Sequence, residues 1–175
     1  GVNEEFEFRL ATNLLNYQDP NFGVGDLAPG FKWNFLSDDN LSVSLIGSLS
    51  VPTGSKAFLA PGVVPAPSLA ADVPLNDSTG MLVNVGGLSP GDGRDRVIQG
   101  FATFGVSSAL TDKSNIYFEV AGFSPAAPGE PSTTAGDIVV TYLVNPDLQL
   151  DAAVFKGFSN SGLDWGVTFG AATRF

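Results

Sequence analysis

Ten short stretches of this chain alternate large apolar residues with polar or small ones at a period of two. That is the period of a β-strand whose two faces meet different surroundings. The run at 5–14 puts Phe6, Phe8, Leu10, Thr12 and Leu14 on one face and Glu5, Glu7, Arg9, Ala11 and Asn13 on the other. At 26–35, Leu27, Pro29, Phe31, Trp33 and Phe35 oppose Asp26, Ala28, Gly30, Lys32 and Asn34. At 41–51, Leu41, Val43, Leu45, Gly47, Leu49 and Val51 oppose Ser42, Ser44, Ile46, Ser48 and Ser50. Two weaker runs follow, at 68–75 and 79–87. Four clearer ones begin at Arg96, Asn115, Gly136 and Asp147, and the last runs from Trp165 to Phe175.

The connections carry as much information as the runs. "SDDN", "NDS", "TDKS" and "NPD" are tight turns made of residues that tolerate turn geometry. The connections between them are longer: "NYQDPNFGVG", "PTGSKAFLAPGVVPAP", "LSPGDGRD", "SPAAPGEPSTTA" and "FSNSG". Long and short alternate throughout. In an up-and-down meander, every tight turn then lies at one end and every long loop at the other. The pattern predicts an all-β chain, with residues 1–175 forming a single antiparallel barrel of about ten strands that crosses a membrane. In such a barrel the terminal strand pairs with the first, so no edge is left. The alternative is a secreted, water-soluble β-sandwich that buries the apolar faces against each other.

Composition narrows the chemistry. Formal net charge is −10, which argues against nucleic acid as a partner. There is no cysteine and no histidine, so the usual nucleophile–base pairs, thiol-ligated metals and the commonest metal ligand are absent. The reading is of a protein that is not an enzyme and uses no cofactor or metal. "SPGDGRDR" brings Asp92, Arg94, Asp95 and Arg96 together, too few oxygen ligands for calcium, and reads as a solvated loop. "GVGDLA" matches a dinucleotide-loop glycine pattern, but no apolar strand precedes it and Pro29 blocks a following helix. The triplets at Asn40 and Asn76 that fit glycosylation sit at tight turns and carry no weight.

The last strand ends on Phe175, with Trp165, Val167 and Phe169 on the same face. A C-terminal aromatic on such a strand resembles the assembly signal of Gram-negative outer-membrane proteins. More narrowly, "GVNEEFEFRL", "GVGDLAPGFKWNFL", "SVPTGS", "FATFGVSSALTDKSNIYFEV" and the final residues from "YLVNPDLQL" resemble the transporter-like MetA-pathway phenol-degradation family. The likeness covers most of the chain and is loosest across 55–95. It implies an outer-membrane barrel for small, hydrophobic or aromatic molecules. Its partners would be outer-membrane lipid, the barrel-assembly machinery through the C-terminal strand, and a small-molecule ligand. Members compared with this chain are longer before "EEFEF", which implies a further N-terminal hairpin and twelve strands in an intact barrel.

If the apolar face meets lipid, the other face lines a lumen. Its candidates are Glu5, Glu7, Arg9, Lys32, Asn34, Gln99, Thr103, Tyr117, Glu119, Asp137, Thr141, Gln149, Asp151, Asp164 and Arg174. Their acidic excess disfavours anions. Passive uptake through this path is the expected function. The alternative within the barrel class is a structural or adhesive protein whose lumen is plugged by ion pairs, since small barrels are filled by side chains. The apolar, Pro-rich loop after Val51 reads as a stiff loop packed on the rim; capture of an apolar ligand, or folding into the barrel, is the other reading.

Overall fold

A computed structural model describes residues 5–14, 16–18, 20–89, 97–159 and 164–173. Twelve strands and no helix occur among them. Ten form one antiparallel sheet: β1 (Phe6–Ala11), β4 (Ala28–Ser37), β5 (Ser42–Ser50), β6 (Val64–Asn76), β7 (Thr79–Leu88), β8 (Gln99–Thr111), β9 (Ser114–Phe123), β10 (Thr133–Asn145), β11 (Leu148–Gly157) and β12 (Trp165–Thr173). Each pairs with its sequence neighbour in that list, so the sheet is an up-and-down meander. The remaining two, β2 (Asn16–Gln18) and β3 (Asn21–Gly23), make a small hairpin inside the first long loop. The periodicity of that loop gave no sign of it.

The sheet curls into a half-barrel. The expected ladder between the first and last strands does not form among the described residues; β1 and β12 are the two edges. Ten strands at this curl do not bring the edges together, and β1, with six residues, offers a shorter edge than the nine of β12.

Register fixes the faces. One cross-strand row reads Val73, Met81, Val106, Phe118, Ile138, Val154 and Val167. Three residues along each strand, the opposite face reads Asn34, Ser44, Ala70, Asn84, Thr103, Ala121, Ala135 and Gly157. The small-residue face is the concave one: Ser44 is wholly buried there and Thr141 is 7% exposed. The convex face is covered by exposed Leu69, Val83, Phe104, Val120, Val154 and Phe169. Among the described residues no hydrophobic side chain is buried. The sheet therefore has no apolar core of its own.

Aromatic side chains stand along the convex face, Phe104, Phe118 and Phe169 among them. Trp33 packs against Phe35 near the tight turns, with ring centroids 5.5 Å apart. Trp165 begins β12 at the long-loop end, opposite Lys156 in register.

β6, whose run at 68–75 is weak in the sequence, is among the longest strands and begins at Val64, inside the stretch that reads as a long loop. Pro65 and Pro67 lie where β6 pairs with β5 only; the ladder to β7 starts at Ser68. The Pro65 carbonyl accepts the Ser89 N–H, so the missing proline N–H faces away from β5. Pro74 precedes the irregularity between Pro74 and Asn76.

Candidate lumen face and outer mouth

The concave face is built from alternate residues of every long strand. On β1, Glu7 and Arg9 form an ion pair two residues apart, and Glu7 stands opposite Lys32 of β4. Glu5 lies just before β1, and its carbonyl accepts the Asn34 N–H at 2.7 Å. The Asn34 side-chain amide donates to the Ser42 hydroxyl at 3.1 Å and to the Leu36 and Val43 carbonyls at 2.8 and 2.9 Å. Gln99 donates to the Ser124 carbonyl at 2.9 Å, tying the mouth of β8 to the loop after β9.

The middle of the face holds a directly opposed pair of carboxylates. Glu119 of β9 and Asp137 of β10 are register partners. Like charges placed opposite each other are destabilising in a sheet. Asn84 donates to Thr103 Oγ1 at 3.0 Å, and the Thr103 hydroxyl in turn bonds Glu119. Asp137 Oδ1 is buried with no hydrogen-bond partner among the described residues. In the same cross-strand row Asp72 lies at one side, beyond Leu82 and Gly105, and Phe155 and Gly166 at the other. Asp151 stands opposite Thr141, in a row with Gly170. Tyr117 faces Ser107 and Val139, and Gln149 faces Leu143.

Asp164 lies outside β12, where Lys156 approaches it at 3.5 Å; both are exposed at the rim. Arg174, Phe175 and the Asp92–Arg96 cluster lie outside the described residues. Of the assembly-signal residues, Trp165, Val167 and Phe169 share the convex face, with Phe169 82% exposed.

The sequence reading missed three features. Asp72 falls in a run too weak to assign faces. Phe101 and Phe123 are cross-strand partners on the concave face, 6.1 Å between ring centroids, because the alternation of β8 continues inward through an aromatic residue. In the sequence Asp26 stands only as the first polar-face residue of the run at 26–35 and as part of a rejected glycine motif. Its carboxylate accepts the backbone N–H groups of Thr53 (3.0 Å), Gly54 (2.8 Å) and Ala60 (2.9 Å) from the next long loop. The hydrogen bonds from Ala60 and Gly54 hold its pKa below the ordinary value.

A family model described as "Putative MetA-pathway of phenol degradation" matches residues 2–175. No curated protein matches the chain.

Proposed function

The chain belongs to the family which that description names, phenol degradation by the MetA pathway, and we propose that it is a Gram-negative outer-membrane barrel through which small, hydrophobic or aromatic molecules enter passively. The observation that carries this reading is the missing core. A ten-stranded sheet exposes its large apolar residues on one face, and no described hydrophobic residue is buried. Each such side chain would gain roughly 1.5–3 kcal/mol on leaving water. Lipid is the environment that supplies that gain to a whole convex face. A sandwich would need a second sheet, and the ten strands form one.

The concave face supports passage rather than a plug. One of its rows, Ser44, Ala70, Asn84, Thr103, Ala121 and Ala135, carries only small or short side chains. Glu119, Asp137, Asp72 and Asp151 give that wall an acidic bias, and a neutral or cationic solute passes it more easily than an anion. Phe101 and Phe123 offer flat apolar contact near the outer mouth, suited to an aromatic solute. The apolar strand β12 is the surface that the assembly machinery would engage. No chemistry on the solute is invoked.

Fractionation of expressing cells, followed by gel mobility with and without boiling, tests the barrel. Recovery in the outer membrane with a heat-dependent shift is expected. A soluble product without a shift sinks the reading. Bilayer conductance and uptake of a neutral aromatic solute by proteoliposomes then separate a path from a plug.

A further inference from the structure

Two of the long loops are sewn together at the outer mouth. Besides the three N–H groups on Asp26, the Ser55 N–H donates to the Val24 carbonyl at 2.9 Å, and the Val24 N–H donates to Ser55 Oγ at 2.9 Å. The Leu27 N–H donates to Thr53 Oγ1 at 2.9 Å, and the Val51 N–H to the Leu27 carbonyl at 2.8 Å. The contact is close. A Cβ on Gly54 would meet the Gly25 backbone carbon at 2.8 Å and the Val24 carbonyl oxygen at 2.9 Å. Only glycine fits there without separating the loops. The motifs "GVGD" and "PTGS" are thus two halves of one clasp.

The clasp also has a direction. Below it lies a cleft of about 560 Å³. Its floor includes Ala11, Ala28 and Ser50, which belong to the concave face by register. Its other wall is Ala57, Phe58, Leu59 and Ala60. The loop therefore leans inward over the concave side instead of packing outward on the rim.

We propose that Asp26 is a latch that holds the loop 51–63 folded inward over the mouth of the lumen, so that this loop, and not the strand wall, sets access from outside. The inward gate rests on the lumen reading above; the latch itself does not. Three N–H groups on one carboxylate, spread over both ends of the loop, fix it at two points. Removing the carboxylate leaves those N–H groups to water and frees the segment 56–60, which the bonds between Ser55 and Val24 do not hold. Phe58 and Leu59 then leave the mouth.

Lys56 is exposed in this loop and reports its opening to trypsin. Lys113, exposed in a tight turn at the opposite end, is the internal standard. In the folded, heat-modifiable protein, Asp26→Ala is expected to raise cleavage after Lys56 about tenfold, with Lys113 unchanged, because cleavage tracks the open population. Gly54→Ala, which keeps the carboxylate, is expected to act in the same direction and guards against a folding defect in the first variant. Wild-type cleavage rates in both variants overturn the latch. In bilayers, Asp26→Ala is expected to show larger conductance than the wild type. Faster cleavage with unchanged conductance overturns the inward gate. If neither protein conducts, the lumen reading fails, and the cleavage rates alone decide the latch.

Discussion

Each tight turn is opened by a side-chain oxygen that accepts backbone N–H groups two or three residues on. Asp38 Oδ1 accepts from Asn40 and Leu41 at 2.8 and 2.9 Å. Asn76 Oδ1 accepts from Ser78, Thr111 Oγ1 from Lys113 and Ser114, and Asn145 Oδ1 from Asp147. These are the local bonds that make Asp, Asn and Thr good turn residues, and they explain why the four turns were legible from composition alone. Asp38→Ala should lower unfolding stability in lipid vesicles by about 0.5–1.5 kcal/mol without changing the folded mobility. An unchanged urea midpoint would argue that water replaces the cap. Asp26 uses the same chemistry over a far longer range. Its partners lie in another loop, so no local pattern could announce it. Its pKa is lowered from 3.8, first by the Ala60 and Gly54 N–H bonds, with the Ser50 hydroxyl contributing less; among the described residues it has no ion-pair partner. A depressed carboxylate stabilises the clasp fully above 3.8, and the effect is lost as pH falls through the lowered value. Pepsin should therefore cut between Phe58 and Leu59 more slowly in the wild type than in Asp26→Ala just above that pH. In stronger acid, below the folded value, the two should be cut alike. A difference that persists in strong acid would mean that protonation does not release the loop.

At the level of strands, the four hairpins repeat one device. A register irregularity precedes each tight turn, and the extra residue is apolar and exposed: Phe35, Leu75, Leu110 and Val144. A bulge bends its strand and sharpens the twist, so four of them at one end help curl the sheet. The sequence shows this as "FLSD", "PLND", "ALTD" and "LVNP", where alternation breaks just before a turn residue. Strand number, order and face were legible because period two survives along each strand. Closure was not, because it depends on the sum of twist and curl over ten strands, which no single run encodes. Face assignment predicts opposite outcomes for neighbouring residues. Phe169→Arg should cost roughly 2–4 kcal/mol in a bilayer if it lies near mid-membrane, while Thr168→Arg, on the concave face, should be tolerated. Equal losses would undo the assignment. The opposed pair makes a second test at this scale. Glu119→Gln removes a like-charge contact with Asp137 and should stabilise the sheet by about 0.2–1 kcal/mol. It should also weaken any preference for cations over anions in reversal-potential measurements. A loss of stability would mean that the carboxylate is held by the Thr103 hydroxyl more strongly than the repulsion opposes it.

For the whole molecule, the absent core and the open edges pose one problem. A water-soluble domain gains most of its stability from buried apolar surface, and here none of the described hydrophobic residues supplies it. Lipid can cover the convex face, but lipid cannot hydrogen-bond the outer edges of β1 and β12. Each unpaired backbone group left in hydrocarbon costs several kcal/mol. Alternate residues of the six in β1 and the nine in β12 carry such groups along their free sides. The edges of the folded protein in a membrane must therefore be paired, whether with each other or with another strand. Amide hydrogen exchange decides this without assuming the partner. In lipid, the β1 and β12 amides are expected to exchange as slowly as those of the central strands β7 and β8, since all would be in closed ladders. In a mild detergent micelle, where water reaches the rim, the edge strands should exchange first. Fast exchange of β12 in lipid, with β7 and β8 protected, would mean that the sheet stays open in the bilayer. The membrane-spanning reading would then lose its physical basis, because an exposed edge and an apolar interior of lipid cannot coexist.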